Sequence, residues 1–195
     1  CQISVIQLYP IILASNSPRR KQLLEMIGMK FAVQRSTIFE DFSLGLKPED
    51  FVQHYAKEKS LDIANRNKGH LVIGADTIVV YNHKILGKPK NEDDSFKMLK
   101  SLSGQTHTVY TGVSLNHIDE GISNTFFEQT NVTFNELSDS DIYYYIKTYN
   151  PLDKAGSYGI QDWFAVCVNR IEGCFYNVMG FPLAAFHTHY KKYIK

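Results

Sequence analysis

The sequence predicts a mixed α/β fold, in which helices flank a twisted sheet. The residues from Leu71 to Tyr81 are almost continuously apolar and β-branched, as expected of a strand that is covered on both faces. Shorter strand patterns alternate along the chain with segments that carry helix start signals. This alternation lacks strict βαβ regularity, which favours a mixed sheet.

The chain begins with the pattern of a strand, a tight turn and a helix. Residues 11–15 form a short apolar run that is typical of a buried strand. Ser17 then offers an N-cap, Pro18 a first helical position and Gly28 a C-terminal stop. We therefore expect the first helix to start directly after the first strand.

The same kinds of signal predict the remaining elements. They are a strand at 31–34, a helix from Pro48 to about Asn65, the strand at 71–81, a helix at 91–101, strands at 106–116 and 124–134, a helix at 138–149, a strand at 165–171 and a closing helix at 183–194. We expect the strands at 106–116 and 124–134 to be antiparallel neighbours. Residues 1–195 are interpreted as one domain, with residues 1–10 as a lead-in.

Composition excludes several classes of protein. The chain is 44% hydrophobic with a formal net charge of +1, which argues against disorder and gives no global reason to bind nucleic acid. No apolar stretch approaches the roughly 20 residues that span a bilayer. Its three cysteines form no CxxC pair and suit a reducing cytosol, so we expect a cytoplasmic protein. The first residue is not methionine, which leaves an earlier targeting segment open.

Three cations stand in the first turn of the first predicted helix. Arg19, Arg20 and Lys21 each oppose the helix dipole there, at a cost of about 0.3–1 kcal/mol. A bound phosphate would reverse that effect, because it would accept from backbone N–H groups, from the hydroxyl of Ser15 or Ser17 and from a guanidinium. The alternative is a surface helix whose arginines point into solvent. The glycines of a P-loop are missing.

Asp76 lies inside the apolar strand. A carboxylate there is costly unless it is paired, hydrogen-bonded or bound to a metal. Gly74 and Ala75 precede it, and would let another backbone or a ligand approach closely. The alternative is a structural aspartate that caps a loop or pairs with a core lysine.

Further candidate residues lie on a helix and on loops. Lys59 follows Tyr55 by four residues, on a helix face that should be apolar, so it either snorkels to the surface or reaches a polar cleft. Lys88 lies in a Gly-Lys-Pro loop, where it can face a ligand or only solvent. Glu40 lies in an acidic loop and is a candidate second metal ligand. The glycine-rich residues 153–161 suit either a plain turn or close contact with a ligand.

Several blocks of sequence resemble the Maf family of nucleotide pyrophosphatases. They occur in the family's order and cover nearly the whole chain: residues 12–24 (ILASNSPRRKQLL), 74–79 (GADTIV), 87–89 (GKP), 102–113 (LSGQTHTVYTGV), 154–161 (KAGSYGIQ), 171–173 (IEG) and 177–182 (NVMGFP). The resemblance implies an elongated α/β fold of the inosine-triphosphatase-like type, with a cleft between two lobes. Proteins of this type are often dimeric. It also implies hydrolysis of a nucleoside triphosphate to the monophosphate and pyrophosphate with a divalent metal cation, Mg²⁺ or Mn²⁺.

The resemblance also implies roles for single residues. Asp76 matches the general base or metal-linked carboxylate, and Glu40 a metal-site acid, although Phe39 stands where an aspartate often precedes that glutamate. The positions that match triphosphate-binding residues are Ser17, Arg20, Lys59 and Lys88, to which the helix-start argument adds Ser15.

Three positions indicate the branch of the family. Arg19, Thr77 and Gln161 match the branch that resembles dTTP/UTP pyrophosphatases, whereas the branch that acts on 7-methyl-GTP tends to carry Trp, Gln and Glu there. The amide of Gln161 also offers both a donor and acceptors to a uracil or thymine edge. We expect a pyrophosphatase acting on pyrimidine triphosphates, and a homodimer. The alternatives are a nucleotide-binding regulator of cell division without catalysis and a nucleic-acid-binding module.

Overall fold

A sheet of seven strands forms the centre of the chain, and the computed structural model describes residues 7–193 of it. The strands are β1 Ile11–Leu13, β2 Ala32–Val33, β3 Leu71–Tyr81, β4 Lys84–Leu86, β5 Thr106–His117, β6 Ile122–Phe134 and β7 Val168–Glu172. Their order is β2-β1-β3-β5-β6-β7, with β4 paired to β3. β1 is parallel to β2 and β3, whereas the β3–β4 and β6–β7 pairs are antiparallel. The predicted mixed α/β sheet is confirmed.

Helices lie between the strands of the described residues and after the last of them, and the first helix begins at its predicted capping residue, Ser17. They are α1 Pro18–Met26, α2 Pro48–Ala64, α3 Glu92–Leu102, α4 Asp139–Tyr149, α5 Phe175–Val178 and α6 Leu183–Tyr190. Ser17, Asn91 and Ser138 each accept a backbone N–H from the first turn of the helix that follows. Within residues 7–193, no helix is both long and apolar enough to cross a membrane.

The chain divides into two compact units. The first contains the described residues up to Asp76, Thr111–Glu128 and the segment that starts at Gly180. The second contains Thr77–Tyr110 and Gln129–Met179. The interpretation of residues 1–195 as one domain stays a prediction, and residues 1–6 of the proposed lead-in lie outside the described residues.

Each unit has its own core. In the first unit, α2 packs on β1 and β3 through a cluster of small and branched side chains: Ile12, Ala14, Ile63, Ala64 and Val72. In the second unit the core is rich in aromatic rings that contact one another, among them Phe134, Tyr145, Tyr158 and Phe164. Both cores hold backbone segments that carry candidate site residues.

Two glycines allow α2 to lie against the sheet at backbone distance. A Cβ atom at Gly74 would stand 2.2 Å from the carbonyl oxygen of Ala56, and one at Gly112 would stand 2.2 Å from that of Val52. The Ser60 hydroxyl also donates to the Val72 carbonyl at 2.9 Å. The close approach predicted beside Asp76 is thus made by a helix backbone, and it sets the position of every side chain on that face of α2.

Two predicted element boundaries were wrong by three residues or more. The strand expected at 165–171 starts only at Val168, because Trp163–Cys167 forms a 3₁₀ helix. Asp162 caps that helix by accepting the Phe164 N–H at 3.0 Å, and Phe164 and Cys167, three residues apart, are both buried. The closing helix ends at Tyr190 and continues as a 3₁₀ turn, Lys191–Tyr193, while the predicted end at residue 194 lies outside the described residues.

Candidate active site

The turn between β1 and α1 is built around two serine hydroxyls. The Ser17 hydroxyl oxygen accepts the Arg20 N–H at 3.5 Å and so caps α1. The Ser15 hydroxyl oxygen accepts the Ser17 N–H at 3.2 Å and the Arg20 Nη1 group at 3.2 Å. Because both oxygens serve as acceptors, both O–H groups keep their proton to donate to an anion.

Arg20 is held by the protein and does not extend into solvent. Its Nε donates to the Gly180 carbonyl at 2.9 Å, and the side chain is partly buried. Burial lowers the pKa of the Arg20 guanidinium to about 10, while the Asp76 carboxylate acts in the opposite direction. The group therefore remains a cation at neutral pH. The surface-helix alternative does hold for Lys21, which forms an exposed pair with Glu25 at 3.7 Å.

Asp76, Lys59 and Glu40 form one connected group. The Lys59 ammonium donates to Asp76 Oδ1 at 2.7 Å and also to Glu40 Oε1. Asp76 is only 4% exposed, and within residues 7–193 its Oδ2 atom has no hydrogen-bond partner. Burial raises the pKa of the Asp76 carboxyl above its usual value, against the opposing attraction of the ammonium.

The surroundings of Asp76 bear on both interpretations of this residue, a structural aspartate paired with a lysine and a carboxylate that binds a ligand. The pairing with a lysine that the structural alternative requires is present. However, a buried carboxylate oxygen without a partner costs about 1–3 kcal/mol, and such an atom calls for a ligand. The site thus combines a lysine pair with one open acceptor position.

Glu40 reaches this group because the loop around it is attached to α2. The Asp41 N–H donates to the Tyr55 hydroxyl at 2.6 Å, and the Phe42 ring stacks on Phe51 with centroids 5.0 Å apart. This role of Tyr55 was not predicted from the sequence. A signal was present, since Tyr55 and Lys59 are four residues apart and share a helix face.

The second unit contains Lys88, Thr77 and Gln161. Lys88 and Gln161 are exposed, and Thr77 is partly buried on β3. The Gly156 N–H donates to the Gly87 carbonyl at 3.1 Å, which joins the Lys88 loop to the glycine-rich segment. Lys88 and Gln161 are therefore on connected backbone segments.

The glycine-rich segment is fixed on both sides of Gly159. The Gly159 N–H donates to the Tyr145 hydroxyl at 2.9 Å, and that hydroxyl donates to Asp162 Oδ2 at 3.1 Å. The Tyr158 hydroxyl lies 2.8 Å from Nε2 of His107. Burial lowers the pKa of His107 to about 3, so its ring is neutral at physiological pH. The backbone that carries Gln161 is thus held by buried hydrogen bonds.

The carboxylates of Asp76 and Glu40 suit a hard divalent cation. Mg²⁺ usually binds through one or two carboxylates together with substrate phosphates, so a larger protein ligand set is not required. Among residues 7–193 there is no group of three or more His, Cys, Asp or Glu side chains that could hold a metal ion. Asp76 and Glu40 bind the same ammonium, and the open Oδ2 atom of Asp76 fits the predicted ligand pair.

Comparisons with known proteins agree with the motifs. A family profile described as Maf-like protein matches residues 10–193. The chain is 48% identical over 174 residues to a dTTP/UTP pyrophosphatase of Bacillus cereus strain G9842, covering 89% of this chain and 90% of the relative. A dTTP/UTP pyrophosphatase of Bacillus anthracis strain CDC 684 / NRRL 3495 is 47% identical with the same coverage.

Proposed function

The chain belongs to the Maf-like protein family, and from this premise we propose that it is a nucleoside triphosphate pyrophosphatase acting on dTTP and UTP. The products are the nucleoside monophosphate and pyrophosphate. The observation that carries the proposal is the open carboxylate oxygen of Asp76, which is buried beside two cations, Lys59 and Arg20. The names of the relatives supply the substrate class.

Triphosphate binding is assigned to the start of α1 and to the lysine that α2 presents. Arg20 is fixed by the Gly180 carbonyl, so its guanidinium needs little further ordering to meet a phosphate. The Ser15 and Ser17 hydroxyls still have a proton to donate, and the helix dipole favours an anion at this end. The Lys59 ammonium would leave the carboxylates of Asp76 and Glu40 and donate to phosphate oxygens instead.

Asp76 is assigned to the water that attacks the α-phosphorus. Its Oδ2 atom would orient the water or remove its proton, directly or through the bound cation, and pyrophosphate would leave from the opposite side. Asp76 and Glu40 would hold Mg²⁺ or Mn²⁺, which supplies charge neutralisation and a bound water of lower pKa. Positioning and electrostatic stabilisation should provide most of the rate enhancement.

Substrate selection is assigned to Arg19, Thr77 and Gln161, and Lys88 is assigned to the triphosphate, on the strength of the resemblance. Gln161 is exposed on a segment that buried hydrogen bonds hold in place, which suits an amide that reads a base edge. Homodimer formation and a cytoplasmic location stay predictions from the sequence.

A turnover assay with a charge-removing variant tests the proposal. Nucleoside triphosphates are screened with Mg²⁺ and with Mn²⁺, and pyrophosphate and monophosphate are both measured. We expect dTTP and UTP to be turned over fastest, and Asp76→Asn to bind nucleotide but lose at least about 100-fold in kcat. Near-normal pyrophosphate release by Asp76→Asn would show that the assignment is wrong. No release from any triphosphate by the unaltered protein would favour the non-catalytic regulator.

A further inference from the structure

A loop and a helix face contact each other residue by residue beside the Asp76 site. Residues 40–42 run along α2, and each contacts one member of a row of side chains spaced by four residues. The pairs are Glu40 with Lys59, Asp41 with Tyr55 and Phe42 with Phe51. We call this set of three contacts the α2 ladder.

Tyr55 makes the central contact of the α2 ladder, to main-chain atoms. Its hydroxyl accepts the Asp41 N–H at 2.6 Å and lies 3.4 Å from the Asp41 carbonyl oxygen, to which it donates. Tyr55 is only 4% exposed, and its ring packs against Phe51 with centroids 4.7 Å apart. The hydroxyl therefore fixes a peptide group directly next to Glu40.

The flanking residues cannot substitute for this contact. Phe39, on the other side of Glu40, is 84% exposed and so adds little packing. The Asp41 carboxylate faces the next turn, where it accepts from the Ser43 N–H at 2.9 Å. The Phe42 contact is a ring stack, which restrains distance more than it restrains the direction of a neighbouring carboxylate.

We propose that Tyr55 is a positioning residue, whose hydroxyl holds Glu40 where it can bind the divalent cation. The inference rests on the proposed function for its metal and its nucleotide. Lys59 also contacts Glu40, but the Glu40 side chain is about one-third exposed (32%), so a free loop would let its backbone and its carboxylate shift together. A metal ligand must be held within about 0.5 Å of its productive position, which is why one backbone hydrogen bond matters here.

Direct metal binding by Tyr55→Phe is the test. Free Mn²⁺ is measured by electron paramagnetic resonance, with the full-length chain and a UTP analogue whose α–β bridge cannot be hydrolysed. We expect the Mn²⁺ dissociation constant to rise about fivefold, as the loss of the short hydrogen bond from the Asp41 N–H predicts, since the 3.4 Å bond to the Asp41 carbonyl adds little. Affinity for the analogue without metal should not change, because Arg20 and the start of α1 lie outside the α2 ladder and Lys59, its phosphate-binding member, is still held by Asp76.

Two further variants separate positioning from general damage. Tyr190→Phe is the control, since the hydroxyl of this buried tyrosine of the same unit accepts a weak hydrogen bond at 3.4 Å, from Gln7, among residues 7–193. In a Glu40→Gln background, Tyr55→Phe should have no further effect on Mn²⁺ affinity. Thermal unfolding of each variant is recorded in the same buffer.

The outcomes are distinct. Unchanged Mn²⁺ affinity in Tyr55→Phe, or additive effects of the two substitutions, would overturn the inference, as would the absence of Mn²⁺ binding by the unaltered protein. Pyrophosphate release by the unaltered protein is measured in parallel. If that activity is absent while the Mn²⁺ results are as expected, the proposed function fails and the role of Tyr55 stands.

Discussion

Acid should destabilise the second unit through one buried histidine. His107 on β5 is 2% exposed, and its Nε2 atom lies 2.8 Å from the Tyr158 hydroxyl. Burial lowers the pKa of His107 from 6.5 to about 3, whereas an unfolded chain keeps the ordinary value. Between these two pH values the unfolded state binds a proton that the folded state does not.

The sign and size of the effect follow from that difference. Stability from the neutral ring is fully present above pH 6.5 and is lost as the pH falls from 6.5 towards 3. At pH 4.5, two units below the unfolded value, the free energy of unfolding should have dropped by about 2–3 kcal/mol from this group alone. Replacing His107 with glutamine removes the titrating group but keeps a polar atom near the Tyr158 hydroxyl.

Urea unfolding at pH 6.5 and pH 4.5 measures this contribution. Trp163, the single tryptophan, lies in the same unit and reports its unfolding by fluorescence. We expect His107→Gln to lose about 2–3 kcal/mol less than the unaltered protein over this interval. His187→Gln, at an exposed position on α6, serves as the control. Equal losses in the unaltered protein and in His107→Gln would refute the reasoning.

Three other substitutions test the helix position, the charge pairing and the base specificity. Gly74→Ala places a methyl group 2.2 Å from the Ala56 carbonyl oxygen. It should lower the free energy of unfolding in urea by about 1–3 kcal/mol, and it should reduce turnover because α2 is displaced. Lys59→Met should raise the affinity of the nucleotide-free protein for Mn²⁺ in calorimetry, because the ammonium no longer occupies Asp76, and it should weaken nucleotide binding. A weaker Mn²⁺ affinity would contradict this competition for Asp76. Gln161→Glu should reduce kcat/KM for dTTP and UTP more than for other triphosphates, and an unchanged substrate ranking would remove its proposed role.

Local signals predicted the positions of α1 and Asp76, which form the first part of the candidate site. Ser17, Pro18 and Gly28 define the ends of α1 through capping and backbone preferences, which operate within a few residues. The carboxylate of Asp76 was conspicuous because its strand is otherwise apolar. Both predictions depend only on neighbours in sequence.

Contacts between distant segments were not predictable in the same way. The Gly180 carbonyl that holds Arg20 is 160 residues away in sequence, and a backbone acceptor carries no residue-type signal. The late start of β7 has a similar origin. Residues 165–171 have the composition of a strand, but burial of Phe164 in the aromatic core and the cap at Asp162 favour a 3₁₀ turn. Tertiary packing decided the structure there.

The charges of the first unit's site suggest how metal and nucleotide depend on each other. Two carboxylates, Asp76 and Glu40, are matched by the cations Lys59 and Arg20, so the group is close to neutral. A divalent cation alone would compete with the ammonium for these carboxylates and would gain little from the net field. In the proposed function, a triphosphate would offer new partners to both cations and would expose the carboxylates to the metal. Metal and nucleotide should therefore strengthen each other's binding by the same factor, because such coupling is reciprocal.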